Sequence, residues 1–276
     1  MLRRSFFLCA AGAFAQAPVY VCPMDPEIRS TRPGQCPRCG MTLVAGAPEP
    51  VQYHLQFRAT PPHLPPNQEV TLYFRIVNPV TNQPVRRFQT VHEKLFHLFL
   101  VSQDLTYFAH QHPQLRNDGW FQLRTQLPPG TYRLLADVDP EGATPQLPVH
   151  TFSTAGYTAP LTPAVLQPDL SPKEAQNIRM ELRTEPAQPV ADRKTMLFVR
   201  ISPAYGLERY LGAWAHLLAV SNDSVEMLHD HPVSAGGADL QFNLFFPCEA
   251  TYRIWIQTQR LGVVNTVAFT LPVRQL

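Results

Sequence analysis

Charge is scarce in this sequence, and what there is nearly cancels. Charged residues fill 16% of the 276 positions, 23 basic against 21 acidic, below the usual quarter. A near-neutral chain offers no electrostatic case for nucleic acid or an anionic lipid surface as a partner. Long apolar runs are missing too. Beyond the N-terminus no stretch reaches the roughly 18 apolar residues of a spanning helix, so no membrane span is expected. Heptad patterning is absent, which excludes long paired helices. There is no GxSxG, no HExxH and no phosphate-binding glycine loop, so the common hydrolase and nucleotide chemistries have no foothold.

What is present begins with proline. Its 29 residues are scattered between short apolar runs, a pattern of many short strands and proline-rich turns. At the N-terminus, Arg3 and Arg4 precede a short apolar run from Ser5 to Ala13, and Ala13-Phe14-Ala15 has the small-x-small form of a cleavage site. A signal peptide over residues 1–15 is expected, with export to the periplasm or the extracellular space. Cys9 would leave with it. Leu8 before it is too large for lipoprotein processing. Losing Arg3 and Arg4 leaves 21 basic residues against 21 acidic ones. Four cysteines remain: Cys22, Cys36, Cys39 and Cys248. An oxidising compartment would permit disulfides among them.

A small sulfur-rich segment, residues 18–46, comes first. "AGAPEP" then has linker composition. Strand-like pieces such as "YHLQFRA", "EVTLYFRIV" and "LFHLFLV" fill residues 51–156, a second linker rich in Pro and Thr covers 157–172, and strand-like pieces resume over 173–276. The two long stretches repeat each other. "HLFLVSQDLTYFAHQHP", from His97, aligns without a gap to "HLLAVSNDSVEMLHDHP", from His216, with 8 of 17 positions identical. Thr131-Tyr132-Arg133 returns as Thr251-Tyr252-Arg253. A period this long signals a duplicated domain. Short strands in about 100 residues per copy indicate an all-β chain: a small metal-bound β domain followed by two tandem immunoglobulin-like β-sandwich domains. A closed barrel is the competing architecture.

The sulfur segment reads "YVCPMDPEIRSTRPGQCPRCGM". Cys36-Pro-Arg-Cys39 is a CxxC knuckle able to offer two thiolates from one tight turn, and Cys22 can return from a neighbouring strand. Met24 follows Cys22 by two residues and Met41 follows Cys39 by two. In extended chain, residues two apart share a face. Thiolate with thioether is a soft set, favouring Cu(I) over hard cations. A structural zinc knuckle, a Cys36–Cys39 disulfide and a redox CxxC are the competing readings.

The same residues, Tyr20, Cys22-Pro-Met24, Pro26-Glu27, Pro33-Gly34, Cys36-Pro and Cys39-Gly-Met41 with Leu43, resemble the small heavy-metal-binding domain attached to copper-transporting ATPases and metal-efflux adaptor proteins. The resemblance covers about a tenth of the chain. It implies a miniature metal-bound β-fold serving copper, silver or zinc handling. That family often carries histidine where this sequence has Asp25, which leaves the fourth ligand open; a carboxylate there would lean towards zinc.

Histidine is the second candidate ligand. His110-Gln-His112 and His229-Asp-His231 each place two imidazoles on one strand face. If Ser102 to Leu105 closes a hairpin, Val101 faces Thr106 and His97 falls opposite His110. Ser221 to Ser224 would set His216 opposite His229 in the same way. Each repeat would then bring three imidazoles together, a set suited to Cu(II) or zinc. The competing reading is a core histidine bonded to a backbone carbonyl. The pattern "H-L-x-x-V-S-x-D … H-x-H-P" with "P-G-T-Y-R-L" also resembles β-sandwich domains of bacterial exported proteins that accompany such metal-binding domains. In the second copy Cys248 to Ala250 replace Pro129-Gly130, and Cys248 is expected to be a buried thiol.

These readings combine into an exported, non-enzymatic heavy-metal-binding protein of copper homeostasis or resistance. Cu(I) is expected at the Cys/Met site, or zinc, and an envelope transporter or efflux component is the expected protein partner. A zinc-stabilised structural or interaction protein is the alternative. An enzyme using the repeated histidines is a further one.

Overall fold

A computed structural model describes residues 19–23, 28–38, 40–46, 51–236 and 239–275. The expected signal peptide lies outside them, as do Met24, Asp25 and Cys39.

The described secondary structure is entirely strand and turn. In the head, Val19–Val21 is the middle strand of a three-stranded antiparallel sheet, between Arg29–Ser30 and Val44–Gly46. So short a sheet has little to bury, and its core is largely the sulfur residues themselves: Cys22, Cys36 and Leu43, with Tyr20, Ile28 and Met41 packed against them. The knuckle is closed by Gly40, whose N–H donates to the Cys36 carbonyl at 2.9 Å. Its φ of +81° is the left-handed conformation glycine adopts without strain. The head rests on the rest of the chain, with the Arg38 guanidinium 4.8 Å from the centre of the Phe245 ring.

Each repeat is a sandwich of two antiparallel sheets. In the first, one sheet runs His54–Thr60, Glu69–Asn78, Phe121–Gln126, Gln114–Leu115, and the other Val149–Ser153, Thr131–Asp137, His97–Ser102, Phe108–Gln111. Glu69–Asn78 shows the alternation of a half-buried strand: Val70, Leu72, Phe74 and Ile76 enter the core against Leu98, Leu100, Leu134 and Ala136. The second repeat has the same plan, with Arg179–Glu185, Lys194–Ser202 and Asp239–Phe245 central to one sheet, and Ala250–Arg260, His216–Ser221 and Met227–Asp230 in the other. The repeated Thr-Tyr-Arg has a structural cause. Tyr132 donates its hydroxyl to the Pro128 carbonyl at 2.8 Å and Tyr252 donates to Cys248 O at 3.1 Å, a tyrosine corner of the kind that pins immunoglobulin-like sandwiches. Cys248 is only half-buried, not the buried thiol expected, because its sulfur lies at the sheet rim, 3.4 Å from that tyrosine oxygen.

Two strands break the alternation. His97–Ser102 and His216–Ser221 are buried at every position. Their even-numbered and odd-numbered faces cannot both point into one sandwich. Leu98 and Leu100 enter the first core and Leu217 and Ala219 the second. On the opposite faces, Phe99, Val101, Leu218 and Val220 meet in a third cluster with Leu105, Leu135, Met227 and Trp255. The two histidine-bearing sheets therefore pack against each other. The expected linker is laced along the seam, where Ala164 donates to Asn222 O at 2.7 Å and Leu166 packs on the cluster.

The hairpin register differs from the sequence expectation by two residues. Val101 pairs with Phe108, not Thr106, and His110 lies opposite Phe99, not His97. In the second repeat Val220 pairs with Met227 and His229 with Leu218. The loop begins one residue later because Asp104 holds it there. Its carboxylate accepts from Ser102 Oγ at 2.5 Å and from the Thr106 N–H at 3.2 Å, with Leu105 at φ 56°. Asp223 does the same with Ser221 and Val225. A shift of two preserves the face each side chain occupies, so the histidines still converge.

Candidate metal centre

The convergence is larger than either repeat. Instead of one three-histidine site per copy, the structure gathers His97, His110, His112, His216, His229 and His231 into one cluster at the end of the seam, and adds His92. His92 stacks on His231 with ring centres 3.8 Å apart. The correction follows from the burial just described: the faces that carry the histidines are the faces by which the two sandwiches meet. Two triads, His97–His110–His216 and His216–His229–His231, each have their nearest ring nitrogens within 4.8 Å of one another.

Each inner ring is oriented by an outer partner. His97 donates Nε2–H to the Val91 carbonyl at 3.0 Å, and His216 donates Nε2–H to the Tyr210 carbonyl at 2.9 Å. Both carbonyls belong to tight turns that precede the strand, Val91 paired with Lys94 and Tyr210 with Ala213. The other two inner rings exchange partners across the seam. His110 of the first repeat gives Nδ1–H to Gln257 Oε1 at 2.9 Å; His229 of the second gives Nδ1–H to Asp137 Oδ2 at 2.6 Å. Gln257 is fixed in turn by donating to Thr266. Asp137 and Gln257 hold equivalent places, opposite His97 and His216 in their sheets.

A neutral imidazole has one N–H. With those protons committed outward, His97 Nδ1, His110 Nε2, His216 Nδ1 and His229 Nε2 present lone pairs to the interior. His97 Nδ1 and His110 Nε2 stand 3.1 Å apart, and His229 Nε2 is buried with no hydrogen-bond partner. Two facing lone pairs and an orphaned acceptor call for a cation. On the rings of His97, His110, His112, His216 and His231, protons are poor candidates. Burial pushes His97 down to about 4 and His112 to about 3, and lowers His110, His216 and His231, each reinforced by neighbouring imidazoles. Burial alone would raise the Asp137 carboxyl, but the His229 hydrogen bond and nearby rings hold it below its ordinary value. It is an anion, and a carboxylate behind a histidine raises that ring's basicity towards a metal.

The structure shows the carbonyl-bonded histidines and the convergence of imidazoles together. His97 and His216 are bonded to backbone carbonyls, and that bond is what aims their other nitrogen inward. In the head, Cys22 and Cys36 share the small core with Met41 alongside; Met24 and Cys39 fall outside the described residues. Sequence reasoning missed His92, Asp137 and Gln257. His92 was invisible to an argument from repetition because Leu211 stands in its place in the second copy. Asp137 and Gln257 did leave a signal, as matched polar residues closing the apolar strands "TYRLLAD" and "TYRIWIQ".

Known proteins resemble separate stretches of the chain. Residues 19–45 match the family model for the heavy metal binding domain. Over 25 residues the chain is 68% identical to a copper-exporting P-type ATPase of Legionella pneumophila and 64% identical to a copper-transporting P-type ATPase of Rhizobium leguminosarum bv. viciae, covering 9% of this chain and 3% of each ATPase. Among solved structures, the adhesin InvE of Yersinia pseudotuberculosis aligns at 10% identity and TM-score 0.24, over 80% of this chain and 60% of its own. A two-domain fibronectin type-III segment of chicken tenascin aligns at 12% and 0.23, over 81% and 98%. Alignments this loose add nothing to the sheets described above. Residues 49–155 and 173–275 both match a single family model, a domain of unknown function (DUF8832), and the chain belongs to that family, with two copies of its domain.

Proposed function

We propose that this two-copy member of the family is an exported, non-catalytic metal-binding protein of copper or other heavy-metal homeostasis. It holds metal at two chemically distinct places. The head takes a soft ion, Cu(I) foremost, through Cys22, Cys36 and Cys39 with Met24 and Met41 as thioether neighbours. The imidazole cluster takes a borderline ion, since all-nitrogen sets suit zinc and copper and hard cations prefer oxygen. The observation that carries the reading is the set of buried ring nitrogens turned inward by carbonyl, amide and carboxylate partners. Support for the head comes from its match to the heavy-metal-binding family. Export is supported by the basic, apolar and small-residue order of the first 15 residues. An envelope transporter or efflux component is the partner that would supply or receive the ion.

The test is a titration of the reduced full chain with Cu(I) and with Zn(II), on wild type and on Cys22→Ser/Cys36→Ser. Two classes of site are expected, with the Cu(I)-preferring class lost in the variant and the other retained. Zinc at a single equivalent, with no copper preference and no uptake left in the variant, would make the head a structural staple and the histidines inert.

A further inference from the structure

The geometry points to one near-tetrahedral first-row transition ion held by His97, His110, His216 and His229, two ligands from each repeat, so that the ion fastens the repeats together; this rests on the cluster being a metal site at all. His112, His231 and His92 form an outer ring that passes the ion in and out.

Burial draws the line between the two sets. The four inner rings are nearly sealed, 2% to 6% exposed, whereas His92, His112 and His231 are half-buried. The outward partners draw the same line, because each of the four has its second nitrogen bonded to a carbonyl, amide or carboxylate acceptor. Spacing bears on the geometry of the four, although His112 and His231 stand closer still to their inner neighbours, at 4.5 to 5.0 Å. The six distances among the four ring centres run from 5.2 to 6.2 Å. Rings bound through one nitrogen at about 2 Å around a tetrahedral ion have centres about 5 Å apart, all six alike. A square plane would split them into four short and two long distances, and the observed set shows no such split. The ring nitrogens fall in two triads that share His216, so His229 has to turn its Nε2 towards His97 and His110 to close the shell.

Two ions, one per repeat, fit less well. They would share one small volume with neutral imidazoles as the inner ligands, and the carboxylate of Asp137 stands behind His229 rather than between the ions. Nor can one repeat complete the shell. His97 and His110 are half of it, and His110 depends on Gln257 from the other copy just as His229 depends on Asp137. Binding is therefore linked to docking of the repeats, and an ion bound only by the docked form must stabilise it. The outer rings touch the shell without belonging to it: His112 Nε2 is 3.2 Å from His110 Nε2 and His231 Nε2 is 2.9 Å from His216 Nδ1. They are placed to exchange for an inner ligand as the ion enters. His112 also lines a surface cavity of about 420 Å³.

The experiment uses the full chain carrying Cys22→Ser and Cys36→Ser, loaded with Co(II) and then Zn(II). One equivalent is expected, with the intense visible absorption of four-coordinate Co(II), and X-ray absorption should count four imidazole nitrogens on Zn(II). Thermal unfolding should shift upward with the metal. His229→Ala should cost more than the 10- to 100-fold, roughly, that an outer partner is worth, while His112→Ala slows loading and leaves affinity close to wild type. Two equivalents with three nitrogens each, or loss of affinity in His112→Ala equal to that in His229→Ala, overturns the single four-ligand ion and leaves the metal reading standing. No uptake at all overturns both. Stoichiometry and ligand count are read without touching a histidine, so a variant that fails to fold does not blunt the test.

Discussion

The head and the imidazole cluster, the two proposed metal sites, are built by opposite constructions. In the head, the ligand candidates come from one turn and a three-stranded sheet within residues 19–46. Its chemistry and its fold are nearly the same residues, since Cys22 and Cys36 are the core. The centre is assembled from strands far apart in sequence, with His110 bonded to a glutamine 147 residues away. Its histidines belong to neither sandwich core; they line the seam between the two domains. A local site is written in a short motif and survives change elsewhere. A seam site depends on every residue that holds the two halves in register.

The largest separation of the two should therefore come from the seam. Trp255 is buried there and stacks on Phe108 with ring centres 5.1 Å apart. Trp255→Ala is expected to cost about 3–5 kcal/mol, the usual range for removing a buried large aromatic, read by chemical denaturation. It should also weaken metal uptake at the centre and leave the head unchanged. Equal losses at both sites would mean that they are one cooperative unit.

Acid comes next. The ordinary histidine pKa is 6.5 and burial takes His97 to about 4. Above pH 6.5 neither folded nor unfolded chain binds the proton. Below it the unfolded chain does and the folded one does not, so stability present above 6.5 is lost as pH falls. For His97 alone the loss reaches about 3 kcal/mol by pH 4, and His110, His112 and His216 add in the same direction. Denaturation of the chelator-treated protein between pH 7 and 4 measures it. The head contains no histidine and should show no such fall over the upper part of that range.

How much of this could be read in the amino acids follows the same contrast. The head was legible because its candidate ligands sit in one motif. The sandwiches were legible too, from alternation in stretches such as Glu69–Asn78 and from the internal repeat. The first histidine of each HxH pair could be placed on a strand face, the second lying one residue past the strand's end, and an error of two in register did no harm because strand faces recur every two residues. The sharing of one centre was not legible. Nothing in a single strand states which sheet will cover its second face. The unbroken apolar run "HLFLVS" did state that something must, since a strand buried on both faces reads as a continuous run. His92 broke the repeat and so escaped an argument built on repetition.

A milder change sharpens the asymmetry within the centre. Asp137→Asn leaves an oxygen able to accept from His229 Nδ1 and removes the charge, making the His229 side as neutral as the His110–Gln257 side. Outer partners of metal-bound histidines are worth about 10- to 100-fold in affinity. A Zn(II) competition titration should show a loss in that range with no change in stoichiometry. The head's affinity for Cu(I) should not move.

The smallest effect is expected at Met41, and it bears on what the head is for. Its side chain lies against the Cys22–Cys36–Leu43 core and is partly exposed. Met41→Leu conserves volume and apolarity, and such swaps usually cost under about 1.5 kcal/mol, so the head should keep its fold. A thioether has value to Cu(I) and almost none to zinc. The expected outcome is therefore a selectivity change without a stability change: weaker Cu(I) binding, unaltered Zn(II) binding, and a smaller ratio between them in an anaerobic competition. If both metals bind as in wild type, Met41 is core packing alone, and the soft character of the head rests on its thiolates.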